Sequence, residues 1–144
     1  MKTTLLPGLL ALAALPALAA DNPMKPGMWE ITAQTEMAGM PYKMPPMTSK
    51  ICITPEMLAK NHGLGEQKSP PGTHCERTDY KVSGNHAEWG VSCTGKEAMS
   101  GHGTLTWDSA NSYHGETHLT MQMDGHANNV NQTMSAKRIG ECSK

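Results

Sequence analysis

The sequence predicts a mainly β fold: an antiparallel meander or partly closed barrel-like sheet of about six to eight strands with one short helix. Three observations lead there. Apolar and polar residues alternate with period two in segment after segment, as on half-buried strands. Clusters of turn-forming residues separate the segments, among them Ser83-Gly84-Asn85-His86 and Asp108-Ser109-Ala110-Asn111-Ser112. A well-formed helix start stands at Thr54-Pro55-Glu56, where Thr54 can cap, Pro55 suits the first turn and Glu56 favours the positive end of the dipole.

Residues 1–20 read as an export signal rather than as structure. Lys2 supplies the positive start, residues 5–18 are apolar but interrupted by Pro7, Gly8 and Pro16, and Ala17-Leu18-Ala19 fits the small-x-small pattern. Cleavage is expected near Ala19-Ala20. The run is too short and broken for a transmembrane segment, and no later stretch qualifies. Residues 21–144 then form a single disulfide-stapled β domain of about 125 residues, destined for the periplasm or for secretion. Its core is thin, with no Phe, three Trp, three Tyr and heavy use of the soft residue Met, 12 in the whole chain. Without Lys2 the net charge is about −2, and no basic patch exists, so nucleic acid is not an expected partner. Cys52, Cys75, Cys93 and Cys142 are an even set after an export signal and lack zinc-site spacing, which reads as two disulfides.

Taken in order, Trp29, Ile31 and Ala33 alternate with Glu30, Thr32 and Gln34 as a first strand. Met37, Met40, Met44 and Met47 follow at spacings that imitate a helical face, but Gly39, Pro41, Pro45 and Pro46 exclude a helix. Extended, polyproline-like backbone is expected, with Met37 and Met40 pointing one way and Met44 and Met47 sharing a direction. The segment reads as a Met-rich crossover lid. A second strand covers 48–54 and places Ile51 and Ile53 opposite Cys52; the helix ends near Asn61, and a loop covers 63–74.

Strands 75–82 and 87–93 form a hairpin whose register is in conflict. Facing Cys75 with Cys93 demands one register; facing Tyr80 with Trp89, Val82 with Ala87 and Thr78 with Val91 demands a register one residue away. A β-bulge reconciles them. The pairing Cys75–Cys93 with Cys52–Cys142 is therefore favoured among the three connectivities open to four cysteines. The hairpin of 99–107 and 113–123 has no such conflict. Met99 faces Met121, Gly101 faces Leu119, Leu105 faces Gly115 and Trp107 faces Tyr113, so large opposes small on one face. Asp124-Gly125 turns the chain into a last strand with Val130, Met134 and Ala136 on the core side.

Several stretches are also similar to a known family. PGMWEIT at 26–32, the MAGMP and MPP pieces, Cys52-Ile53-Thr54-Pro55-Glu56 and the terminal Met134-x-x-Lys137-Arg138-Ile139-Gly140-x-Cys142 resemble domain-of-unknown-function family 3617, small exported bacterial proteins. Lys137-Arg138-Ile139 departs mildly from the two arginines and a leucine expected there. The resemblance implies export, one β-rich domain and disulfide-paired cysteines. It transfers no catalytic residues.

Two constellations can carry chemistry. In the second hairpin His102 sits opposite His118 and Thr104 opposite Glu116, while His114, Glu116 and His118 alternate along one strand and share a face. Three imidazoles and a carboxylate suit Zn²⁺ or Cu²⁺; the bland alternative is a solvated polar face. Met37, Met40, Met44 and Met47 are the second set, suited to structural cover, to an apolar ligand or partner, or to Cu(I). Catalytic signals are weak: no nucleophile elbow, no phosphate loop, no dinucleotide fingerprint and no paired carboxylates. The expectation is a non-enzymatic exported protein that binds a small apolar ligand or an envelope protein through the Met/Pro segment. No cofactor is expected. The alternative is copper or zinc binding through the Met/His clusters, and an envelope hydrolase is the weaker one.

Overall fold

The computed structural model describes residues 23–40, 44–61, 69, 71–123 and 125–143. The expected export signal and its expected cleavage point lie outside the described residues. The elements are β1 (Gly27–Met37), β2 (Met47–Ile53), α1 (Pro55–Asn61), β3 (Thr73–Ser83), β4 (His86–Gly95), β5 (Met99–Ser109), β6 (Ser112–Met123) and β7 (His126–Gly140). They make one open antiparallel sheet of seven strands in the order β2-β1-β7-β6-β5-β4-β3. The meander expected from β3 to β7 is present. The β1–β2 pair extends it on the far side, with β1 docked on β7.

Alternation decides the two faces. Trp29, Ala87, Trp89, Val91, Leu105, Trp107, Tyr113 and Ala136 are buried on one face with Ile53 and Met24. The opposite face carries Thr, Ser, His, Asn and charged side chains, as an antiparallel sheet solvated on one side requires. Helix α1 starts as its sequence predicts. Thr54 Oγ1 accepts from the Met57 amide at 3.2 Å, and Lys60 bonds Glu56 at 2.6 Å one turn on. Its Met57 and Leu58 pack against the core.

The β3–β4 hairpin contains the bulge that the conflicting registers call for. Cys75 faces Cys93 and Thr78 faces Gly90, then the register shifts so that Lys81 faces Glu88 and Val82 faces Ala87. Asp79 and Tyr80 thus oppose the single residue Trp89. Asp79 adopts φ +51°, a left-handed conformation that Asp tolerates better than most residues. The expected Thr78–Val91 pair is not formed: below the bulge it is Arg77 that faces Val91. Both favoured disulfides are present, Cys52–Cys142 and Cys75–Cys93, with Cα separations of 5.4 and 4.0 Å.

In the β5–β6 hairpin the predicted register holds from Met99–Met121 to Trp107–Tyr113. It then shifts at Asp108, so Ser109 faces Ser112 and the turn shrinks to Ala110-Asn111.

Candidate functional site

The Met-rich segment is a hairpin connection, not a crossover. β1 and β2 pair directly, from Gly27 opposite Ile53 to Ala33 opposite Met47. Met37 ends β1 beside Val130 of β7. The chain then turns sharply, with the Met40 amide bonded to the Met37 carbonyl at 3.2 Å and Gly39 at φ +87°. That turn replaces the polyproline backbone expected between Met37 and Met40, because a glycine at positive φ lets the chain reverse there. Met37 and Met44 are half-buried, whereas Met40 is 43% and Met47 76% exposed. None of the four packs against the buried core cluster. A depression of about 220 Å³ lies beside Pro46, lined by Thr32, Gln34, Thr133, Met134 and Ser135. The hairpin tip thus offers flexible, polarizable thioether surface next to a polar-walled hollow.

The second constellation lies on the polar face and is brought together in part. His102 and His118 stand opposite each other with ring centroids 5.1 Å apart. His118 Nδ1 donates to Asn131 Oδ1 at 2.8 Å, and its Nε2 lies 3.7 Å from Glu116 Oε1. This bond orients the ring and holds its Nε2 on the Glu116 side. His114 goes elsewhere: its Nδ1 is 3.0 Å from Asp108 Oδ1. Among the described residues no group of three or more His, Cys, Asp or Glu is arranged to hold a metal ion. Much of the remaining polar face is bonded across strands, as in His86 to Thr106, Thr32 to Thr48 and Thr120 to Asn129.

A third feature escapes the sequence reasoning. Arg77 shares the core-facing side of β3 with Cys75, and its guanidinium lies over the Trp89 ring, 5.8 Å from the centroid. Its Nε is buried without a hydrogen-bond partner. Burial pulls its pKa below the ordinary guanidinium value, with neighbouring Tyr80 acting weakly the other way. Tyr80 itself is pushed up by burial and held back by Arg77. The signal was available. Once Cys75 faces Cys93, residue 77 shares the orientation of Cys75; the alternative register had put Thr78 there instead. On the opposite face beside the bulge, Asp79, Lys81, Glu88, Gly90, His102 and Thr104 border a depression of about 280 Å³.

Among the described residues no helix is long and apolar enough to cross a membrane. Comparison with known proteins adds one match. The model of a family described as "Protein of unknown function (DUF3617)" matches residues 24–142. No curated protein and no solved structure matches the chain significantly.

Proposed function

The chain belongs to the DUF3617 family, and from that premise, which brings no activity with it, we propose that it is an exported, non-catalytic protein of the periplasm or extracellular medium that binds an apolar envelope component through its β1–β2 hairpin tip. The exposure of Met47 and Met40 carries this reading. A methionine lid over a core would be buried. Large apolar side chains held out at a hairpin tip instead suit contact with another apolar surface, and Met adapts its shape to such a surface. The two disulfides suit an oxidising compartment.

The test uses the mature protein and the uncharged apolar probe N-phenylnaphthylamine. Wild type is expected to bind it saturably, and Met40→Ser with Met47→Ser to weaken binding by about tenfold. Equal binding by the two proteins would defeat the reading. Native mass spectrometry of protein taken from its own compartment then identifies any retained apolar molecule.

The second reading, copper or zinc binding, is favoured by the His102–His118 pair, with Glu116 beside it and Asn131 orienting one ring. In a Cu²⁺ titration read by electron paramagnetic resonance, nitrogen-ligated copper should vanish in the His102→Asn, His118→Asn double variant. It should persist in His114→Asn. A signal unchanged in the double variant removes this reading.

A further inference from the structure

Arg77 ends a core-facing row that crosses six strands. Met37 faces Val130, Val130 faces Leu119, Leu119 faces Gly101, Gly101 faces Val91 and Val91 faces Arg77. Every other member is apolar or glycine. A guanidinium whose Nε is buried in such a place needs an explanation, because a polar donor removed from water is costly unless it is paired.

No pairing is present among the described residues. Arg77 forms no ion pair there, and its buried Nε lacks a hydrogen-bond partner. The acidic residues of β3 are on the wrong side: Glu76 is the adjacent, exposed position, and Asp79 borders the hollow on the polar face with Lys81 and Glu88. The cation–π contact with Trp89 offsets part of the cost but gives the guanidinium no oxygen acceptor for its donors. The residue remains partly open to solvent, so a ligand can reach it. The side chains Cys75 and Tyr80 on its own strand, Met99 two strands further in and Leu119 three strands further in are partly exposed and pack on the core cluster.

We propose that Arg77 anchors the carboxylate of an amphiphile, whose apolar body lies along the half-open core-facing side chains beside Cys75, Tyr80 and Met99. The guanidinium fork matches a carboxylate in shape and donor spacing. A single cation balances a single negative charge, whereas a dianionic phosphate would call for a second cation, and Lys81 on the same strand borders the polar-face hollow instead. The apolar surroundings give a tail surface to cover, which a small free carboxylate would leave uncovered. The site lies at the β3 edge of the strand order and uses none of the hairpin-tip methionines, so the two readings stand or fall separately.

The mature, disulfide-intact protein is titrated with dodecanoate, dodecanol and acetate, and tryptophan emission is followed because Trp89 lies under the guanidinium. Dodecanoate should bind saturably and about tenfold or more tighter than dodecanol, and acetate should not saturate. Arg77→Met should bring dodecanoate down to the dodecanol level, and Arg77→Lys should fall between. Equal affinity for dodecanoate and dodecanol, no dodecanoate binding, or wild-type affinity in Arg77→Met would overturn the proposal. Should Arg77→Met fail to fold, wild-type affinity in Arg77→Lys, which keeps the charge and loses the fork, overturns it instead.

Discussion

Trp29 of β1 and Tyr113 of β6 meet across the intervening strand β7, with ring centroids 5.6 Å apart and planes inclined at 34°. Ala136 lies opposite Tyr113 on β7, and its small side chain leaves room for the two rings to touch. This contact joins the N-terminal hairpin to the meander through side chains as well as through backbone.

Burial pushes the Tyr113 hydroxyl up to about 12. An unfolded phenol ionises near 10. Below pH 10 both states hold the proton and the contribution to stability is fully present. Between pH 10 and 12 only the unfolded chain releases it, so stability should fall as pH rises, by about 2–3 kcal/mol in all. Urea unfolding across that window should show the decline, and Tyr113→Phe should lack this part of it.

The bulge at Asp79 returns Tyr80 and Val82 to the core side. Its left-handed backbone disfavours β-branched residues. Asp79→Val should lower stability by about 1–2 kcal/mol, while Asp79→Gly should stay within about 0.5 kcal/mol of wild type. Chemical denaturation of the two variants checks this, and equal stability would count against the bulge.

Gly103 lies directly under the Trp89 indole, where a Cβ would collide with ring atoms Cζ2 and Cε2. The ring is rigid and nearly buried, so it cannot move aside cheaply. Gly103→Ala should cost about 1–3 kcal/mol and alter tryptophan emission. An unchanged midpoint and spectrum would show that the pocket relaxes freely.

The two disulfides close loops of very different length, with separations of 90 residues for Cys52–Cys142 and 18 for Cys75–Cys93. Chain entropy alone predicts about 4–5 kcal/mol for the first and about 3 kcal/mol for the second. Paired Cys→Ser variants compared by denaturation should rank in that order.

Local pattern made much of the fold legible. The β5–β6 register could be read because it alone puts large opposite small on one face. The bulge could be read because two sound arguments disagreed by one residue. The strand order could not: nothing in the alternation of β1 says that its second neighbour is β7, since that pairing depends on distant backbone. The polar-face site was half legible for the same reason. The cross-strand approach of His102 and His118 follows from register, but Asp108, which captures His114, looked like a turn residue until the hairpin proved shorter. Arg77 was missed because its orientation depends on which side of the bulge it stands.

The strand order has a consequence for how the chain assembles. β7 ends where β1 begins, with Gly140 opposite Met28 and the Arg138 Nε donating to the Pro26 carbonyl at 2.8 Å. A circular permutant that links these ends and opens the chain between α1 and β3 would run β3-β4-β5-β6-β7-β1-β2. Every ladder would then join sequence neighbours. Only the β1–β7 ladder spans most of the natural chain, so in a chain whose Cys52–Cys142 bond is not formed only it pays a large loop-closure entropy before its contacts form. With both proteins in the Cys52→Ser, Cys142→Ser background, the permutant should refold faster than the natural order from the same denaturant, as its lower contact order requires, while preserving all six ladders.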